Sequence, residues 1–401
     1  MVFDTTSSNT GYLTAACISV QNDLGKELMW LPCRHHIGER IVFHCWKCME
    51  IEDSTAPISP LFSKFKQTFS SLKYTKYSLS IPKVKKPMRE KREKIVSMCQ
   101  NALQLDQSRG DYKELIVLTL VYLDEAPESF KKFHIPGAIS NARWMAKLLY
   151  CLKIVLLSGN LEEFKTIFPK EQVLKIKVFV EFVVYCYVPW WITASHTASS
   201  PQNDLQMIND FALYEAIHPK IANTAKKALS LHLWYLTEEL LPLSLFSNSL
   251  DNETKEEIIK VMLATEKSFS KEKSKRHGTS YGKPTFPKYP KTKVTELCSF
   301  AGAECWRFFT ILGISPDFFK LPVLEWTNSH SYYESQELVN SLRVVNDSAE
   351  NGVKLCYDFL SSSKKEQQLQ NILQVVENGR HRLPNQRNSG VPSKKWHLKL
   401  E

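Results

Sequence analysis

Two acidic residues far apart in the chain stand where carboxylates can bind a metal ion. Asp4 closes an apolar run at 1–3 and precedes a polar, strand-ending sequence, which predicts a position at the carboxyl end of a buried strand. Glu350 follows Asp347 by three positions in a segment of helical periodicity, so both carboxylates fall on one helix face. Mg²⁺ and Mn²⁺ prefer such oxygens, and paired ions can cleave or join phosphodiester bonds. A solvated acidic helix face is the alternative interpretation of Asp347 and Glu350.

Cysteine and histidine side chains follow the second apolar segment. Cys33 and His36 lie where a strand is expected to become a helix, and Cys45 and Cys48 lie further along that helix. These residue types bind zinc. However, eight residues separate His36 from Cys45, and they form the body of the predicted helix. The spacing therefore favours buried core cysteines over a zinc site, with zinc as the alternative.

An arginine next to a tryptophan opens one of the long predicted helices. Arg143 and Trp144 combine a cation with an aromatic ring, and such a pair can stack on an unpaired base. Helical spacing favours a core position instead for Trp144, for Trp234 and for the neighbouring Trp190 and Trp191. Both interpretations stay open from the sequence.

The positive charge of the chain is concentrated in two segments, residues 271–293 and residues 380–399. The formal net charge is +10, and residues 271–293 carry eight Lys or Arg against one Glu between helix-breaking glycines and prolines. A basic loop of this kind suits contacts with phosphate, although solvated loops share its composition. The cations that we expect to contact nucleic acid are Lys273, Lys275, Arg276, Lys283 and Lys288.

The elements that position these residues begin with an alternating segment. Residues 1–4 and 27–31 are predicted strands, and residues 12–22 and 35–49 are predicted helices. Strand, helix, strand and helix with short connections imply at least two parallel strands in an α/β layer. Two strands do not form a stable sheet alone, so this layer is a partial one.

Long apolar-periodic segments follow and predict a chain that is mainly α. A Pro- and Lys-rich connector is expected at 78–93. The predicted helices are 60–72, 112–123, 138–157, 171–187, 203–217, 221–245, 253–269, 294–312, 336–360 and 364–377.

The order of these features resembles a known pattern. The run from Asp4 to Gly11 after a strand, then Cys33-x-x-His36, Arg143-Trp144, a long helical interruption and Glu350 on a helix together resemble cut-and-paste DDE transposases of the ribonuclease H-like superfamily. The hAT-like and related groups, and transposon-derived proteins of invertebrate genomes, are the most similar. The resemblance covers residues 1 to about 378.

The resemblance implies a role for each matching residue. Asp4 corresponds to the second catalytic aspartate and Glu350 to the final glutamate, both ligands of Mg²⁺ or Mn²⁺, with Asp347 as a possible further ligand. Cys33, His36, Arg143 and Trp144 correspond to signature positions. The implied domains are a partial ribonuclease H-like core at 1–56, a helical insertion at 57–330, closing helices at 331–378 and a basic tail at 379–401.

The sequence departs from the pattern in one respect. The strands that carry the first aspartate, and the DNA-binding domain that precedes them in such enzymes, have no counterpart, which predicts a truncated remnant without independent transposition. The alternatives are a non-catalytic helical scaffold and a metal-dependent nuclease.

Composition adds expectations about location and partners. Ten scattered cysteines and no secretory leader predict reduced thiols in the nucleus or cytoplasm. The most apolar segment, 178–194, is too short and too polar for a membrane span. We expect DNA as partner, a possible homo-oligomer, and neither a membrane nor a small-molecule substrate.

Overall fold

We describe the protein from a computed structural model. The structure describes residues 1–5, 9, 16–51, 59–72, 79, 81, 83, 88–105, 107, 109–137, 144–158, 164, 168–230, 234–269 and 296–346. Met1–Asn346 form one compact unit, and Asp347–Glu401 form a second unit that lies outside the described residues.

A short parallel strand pair lies at the start of the chain. Strand β1 is Val2–Phe3 and strand β2 is Leu31–Pro32, with Val2 opposite Leu31 and Phe3 opposite Pro32. The sequence predicted two parallel strands, and this prediction is confirmed. The second strand was placed too early, because residues 27–30 precede it rather than form it.

The rest of the described chain is mainly helical, as the sequence predicted. Its α-helices in chain order are α1 (Ala16–Leu24), α2 (Arg34–Cys48), α3 (Pro60–Phe69), α4 (Arg89–Leu103), α5 (Gly110–Tyr122), α6 (Trp144–Leu157), α7 (Lys170–Phe182), α8 (Val188–Ile192), α9 (Ser200–Glu215), α10 (Pro219–Ser230), α11 (Asn252–Thr265), α12 (Cys305–Leu312) and α13 (His330–Ser341). A ribonuclease H-like core within this arrangement stays a prediction.

Helix α2 lies against the helices of the predicted insertion. It packs on α10 and α6, while α5 packs on α6 and α9 on α10. Every third or fourth residue of α2 is buried, including Ile37, Ile41 and Cys45, which is the pattern of a helix with one face in the core. The predicted segment 1–56 and the predicted insertion therefore share a continuous hydrophobic core.

A glycine sets the closeness of this packing. Gly38 on α2 lies so near to α8 that an added Cβ would meet Cζ3 of Trp190 at 2.6 Å. Trp190 follows a π-helical segment, Val183–Tyr187, that joins α7 to α8 and is entirely buried. The Cε2 atom of Tyr187 would be 3.0 Å from the same Cβ. Only glycine fits here without displacing one of the two rings.

Several predicted helices differ in extent. Helix α4 begins at Arg89, inside the predicted connector, and continues to Leu103 where no helix was predicted. The predicted helix 221–245 ends at Ser230, and 3₁₀ turns follow at Trp234–Leu236 and Leu241–Phe246. In the predicted helix 294–312, a 3₁₀ turn at Leu297–Phe300 precedes an α-helix that begins at Cys305. The turn at Leu241–Phe246 is wholly buried in the core, whereas only Leu297 of the later turn is buried.

The predicted helix 336–360 is confirmed at residues 336–341 and is wrong at residues 342–346, and its other residues lie outside the described part of the chain. Helix α13 begins six positions earlier, at His330, and ends at Ser341, after which residues 342–346 are not helical. The predicted helix 364–377 lies outside the described residues. Among the described residues, no helix is long and apolar enough to cross a membrane.

Candidate functional site

The candidate site is built at the carboxyl ends of the two strands. Asp4 directly follows β1, and its backbone carbonyl accepts a hydrogen bond from Nδ2 of Asn9 at 2.9 Å. Its side chain is half-buried. Within the part of the chain that the structure describes, no residue donates a hydrogen bond to the Asp4 carboxylate or forms an ion pair with it.

Cys33 joins the strand pair to helix α2. Its amide donates to the carbonyl of Phe3 at 2.7 Å, which extends the parallel ladder by one bond, and its carbonyl accepts from the amide of Ile37 at 3.1 Å. The side chain is 2% exposed. Because Asp4 follows Phe3, this ladder bond sets the end of β1 beside the first turn of α2.

The segment 342–346 reaches the same place from the far end of the described chain. The carbonyl of Val344 accepts a hydrogen bond from the amide of Arg34 at 2.8 Å, and the amide of Asn346 donates to Sγ of Cys33 at 3.2 Å. The hydroxyl of Thr197 donates to the carbonyl of Leu342 at 2.5 Å. These bonds hold an extended segment against the first residues of α2, and Asp347 is the next residue in the sequence.

A buried arginine fixes the start of α2. The guanidinium of Arg34 is wholly buried and donates to Oγ of Ser200 at 2.9 Å and to Oδ1 of Asp204 at 2.5 Å. Nε1 of Trp190 donates to the same Asp204 oxygen at 2.7 Å. The Cζ atom of Arg34 lies 4.9 Å from the ring centroid of Trp190 and 5.4 Å from that of Tyr235. These contacts give each terminal nitrogen of the guanidinium a partner, whereas Nε of Arg34 is buried without a hydrogen-bond partner among the described residues.

Two further features belong to this set of contacts around Arg34, which we call the anchor. The hydroxyl of Tyr235 donates to the carbonyl of Pro32 at 2.7 Å and so holds the end of β2. Burial raises the pKa of Asp204, and the Arg34 charge with the N–H donors of Trp190 and Arg34 offsets part of that effect. The anchor thus joins α2, α8 and α9 around the strand ends.

The histidines after Cys33 have different surroundings. The ring of His35 stacks on Trp191 at a centroid distance of 6.3 Å and meets Tyr112 edge-on at 5.8 Å. His36 faces outward and its Nδ1 is 3.8 Å from Oε2 of Glu39. His35 is therefore part of the aromatic packing, whereas His36 is available at the surface of α2.

The tryptophans that the sequence assigned to the core are buried where the structure describes their side chains. Trp144 lies edge-on to Tyr187 at 5.4 Å and is 9% exposed, and Trp190 and Trp191 are 3% and 4% exposed. The core interpretation is confirmed for these three residues. Arg143 lies outside the described residues, as does the side chain of Trp234.

The cysteines of α2 are separate from Cys33. Cys45 is fully buried and its thiol lies 3.9 Å from the carbonyl of Ile221, while Cys48 lies 3.1 Å from the carbonyl of Cys45. Burial raises the pKa of both thiols. In the described ranges, no group of three or more His, Cys, Asp or Glu side chains is arranged to hold a metal ion.

The comparisons with protein families, with curated proteins and with solved structures find no match to this chain. The resemblance to transposases therefore stays a prediction that rests on the residues quoted for it. The remaining predicted site residues lie outside the described residues, namely Asp347, Glu350, Lys273, Lys275, Arg276, Lys283 and Lys288.

A cavity of ≈ 1340 Å³ lies between α4, α9 and α10. Four lysines line it together with Glu90, Asp210 and Glu215, and two of these lysines have partners in the wall, since Lys91 pairs with Asp210 at 2.5 Å and Lys226 pairs with Glu215. The cavity is thus closer to charge balance than to a site for an anion.

The sequence did not indicate Arg34 and Asp204 as functional positions. Arg34 stands between Cys33 and His35 in a polar run, and its partner is 170 positions away. The one available signal was the aspartate itself, which lies at a position of α9 that faces the core together with Leu205 and Ile208.

Proposed function

We propose that this protein derives from a DDE-type transposase of the ribonuclease H-like superfamily. In this proposal it binds DNA and uses Asp4 and Glu350 to hold Mg²⁺ or Mn²⁺. The nucleus is then its site of action, and self-association is a further expectation. The helical scaffold without a nucleic-acid role is the function that remains if neither metal nor DNA is bound.

The convergence at the strand ends is the observation that carries the proposal. Asp4 ends β1, and Cys33 begins the turn from β2 into α2 beside it. The segment 342–346 is hydrogen-bonded to Cys33 and Arg34, and the chain continues from Asn346 into Asp347 and Glu350. Thus β1, the start of α2 and the segment 342–346 are joined by hydrogen bonds, and the predicted ligands Asp347 and Glu350 follow that segment in the sequence.

The donor set fits a hard divalent cation. Asp4 offers carboxylate oxygens without a protein partner in the described structure, and Mg²⁺ binds through one or two carboxylates while keeping several waters. When bound, such ions supply Lewis-acid activation of a water or hydroxyl at phosphodiester bonds. The contribution of the described chain is to hold the end of β1, and so Asp4, by the ladder bond from Cys33 to Phe3.

Metal-directed backbone cleavage tests the proposal. Fe²⁺ with ascorbate and peroxide replaces Mg²⁺ in carboxylate sites and cuts the polypeptide next to the bound ion. We expect cuts near residue 4 and near residue 350, both suppressed by excess Mg²⁺. Asp4→Asn should abolish both cuts, since one site produces them, and Glu350→Gln should weaken both. Asp23→Asn changes an exposed carboxylate on α1 and serves as the matched control.

Each outcome decides the proposal. Cuts at only one of the two positions, or cuts that survive Asp4→Asn, would show that Asp4 and Glu350 do not share an ion. For the DNA part, duplex affinity is measured against salt concentration, and the log–log slope changes by about 0.9 for each phosphate contact. Neutralising Lys273, Lys275 and Arg276 should reduce that slope, whereas no binding at low salt favours the scaffold.

A further inference from the structure

The exposed face of helix α2 carries cations and an exposed ring. The residues that recur on this face are His36, Arg40, Phe43, His44 and Lys47, while the opposite face, with Ile37, Ile41 and Cys45, is buried. Phe43 is 39% exposed although it is large and apolar. This ring therefore meets solvent on a face that carries cations.

Neighbouring helices add cations on both sides of this face. The Nζ atom of Lys147 on α6 lies 5.8 Å from the ring centroid of Phe43, and Cζ of Arg40 lies 5.0 Å from it. On the other side, Lys227 of α10 lies close enough to His44 for its charge to lower the pKa of His44. Four cations from three helices thus surround Phe43 and His44.

The field of this surface is positive. Burial lowers the pKa of His44, and the charges of Arg40, Lys47 and Lys227 lower it further. Within the described residues, no carboxylate forms an ion pair with any of the four cations. The nearest acidic residues of α2 and its end have other partners, since Glu39 faces His36 and Glu50 pairs with Lys220 at 2.9 Å.

We propose that this face of α2, with Lys147 and Lys227 beside it, binds a segment of single-stranded DNA. The four cations contact the phosphates, and one base stacks on Phe43 or on the guanidinium of Arg40. The proposal rests on the proposed function, because α2 begins directly after Cys33, whose amide is bonded to Phe3 beside Asp4. It places a strand of substrate along the helix that leads away from Asp4.

Nucleic acid fits this surface better than an acidic protein. The carboxylates of a protein partner would contact only the cations. A nucleotide contacts both features, because its phosphate pairs with Arg or Lys and its base stacks on the exposed ring. A single strand fits better than a duplex, because only unpaired bases offer a free face for stacking.

Fluorescence anisotropy with labelled oligo-dT and the full chain tests the proposal. Arg40→Gln with Lys47→Gln should lower the log–log salt slope by about 1.4, since each contact to a single strand contributes about 0.7. Lys260→Gln with Lys267→Gln is the matched control, because both lysines are exposed on or just after α11 and the net charge changes equally. Phe43→Ala should weaken binding about tenfold and Phe43→Trp should restore it.

The results separate this proposal from the proposed function. The α2 assignment would be overturned if the Arg40/Lys47 and Lys260/Lys267 double variants lost the same amount of salt slope, or if neither lost any. Equally tight binding of poly-glutamate would also overturn it. Tighter binding of a duplex than of oligo-dT would overturn the single-strand assignment. Iron-directed cuts at residue 4 do not depend on Arg40 or Lys47. Such cuts in the Arg40/Lys47 double variant would therefore support the metal site independently of the DNA result. Circular dichroism and thermal unfolding confirm that each variant is folded.

Discussion

The amide of Asn346 donates a hydrogen bond to Sγ of Cys33 at 3.2 Å, across 313 positions of the sequence. One residue further on from Cys33, the amide of Arg34 donates to the carbonyl of Val344 at 2.8 Å. Together these bonds hold the segment 342–346 against the first residues of α2. The position of this segment therefore depends on Cys33.

Replacing Cys33 tests this dependence. Cys33→Ala removes the acceptor for the Asn346 amide, and because Asn346 is exposed, the loss of this one hydrogen bond should cost only about 0.5–1.5 kcal/mol of the free energy of unfolding. We expect faster hydrogen exchange in a peptide that covers 342–346. Cys33→Ser keeps an acceptor of similar size and should retain most of the protection. Equal exchange in the alanine variant and in the wild type would contradict the role given to this bond.

Gly38→Ala gives a test in which two effects have opposite signs. In a helix interior alanine is better than glycine by about 1 kcal/mol. The new methyl group, however, would lie 2.6 Å from Cζ3 of Trp190. Overpacking of this kind costs about 1–3 kcal/mol, so we expect net destabilisation in urea unfolding. Gly110→Ala is the control, because a Cβ there meets nothing within 4 Å and should not destabilise the chain.

The buried pair of Arg34 and Asp204 should be far more sensitive than a surface pair. Arg34→Met leaves the Asp204 carboxylate buried without its cation, and loss of one partner costs about 3–5 kcal/mol. The double variant Arg34→Met with Asp204→Asn should lose less than the sum of the single variants, which a double-mutant cycle in urea measures. Lys320→Met breaks an exposed pair and should leave the free energy of unfolding nearly unchanged. Additive losses would show that the pair is not coupled.

Local patterns in the sequence were sufficient for some elements. The helix at 35–49 was predicted because Ile37, Ile41 and Cys45 recur at helical spacing, and α2 has nearly those bounds. The parallel strands followed from the short alternation of elements. The apolar repeat Ile95, Val96 and Cys99 also exists in α4, but the charged residues before it gave the appearance of a solvated connector.

Elements that depend on distant partners were not predictable from local patterns. The sequence around Val344 has helical spacing, yet the structure uses its carbonyl for Arg34 and buries its side chain. Arg34 likewise reads as a surface residue until Ser200, Asp204 and Trp190 are brought to it by the fold. A single sequence does not contain the pairing that decides these positions. The exposed face of α2 was predictable from the sequence, because helical spacing alone places Arg40, Phe43 and Lys47 on one side of the helix.

The first residues of α11 give a prediction for acid stability. The backbone amide of Thr254 donates to Oδ1 of Asp251 at 2.8 Å, and this bond lowers the pKa of Asp251. Because the folded state has the lower pKa, the cap stabilises the protein above the unfolded pKa of about 3.9, and the contribution is lost as pH falls through the folded value. Asp251→Ala should cost about 1 kcal/mol at pH 7. Asp251→Asn keeps a cap that does not titrate, so wild type should lose stability relative to it below about pH 4.

The histidine on the exposed face of α2 should make the proposed DNA binding depend on pH. Burial and the charges of Arg40, Lys47 and Lys227 lower the pKa of His44 in the free protein. A phosphate that neutralises those cations raises this pKa again, so binding takes up a proton and the affinity increases as pH falls.

Anisotropy with oligo-dT at constant ionic strength measures this dependence. Between about pH 7.5 and 5.5, on either side of the ordinary histidine pKa, wild type should bind progressively tighter, and His44→Gln should show a smaller increase. His330→Gln is the control, because His330 is an exposed histidine of α13 whose partner is Glu334 at 3.2 Å. If His44→Gln retains the full pH dependence and His330→Gln reduces it, the strand does not lie along α2.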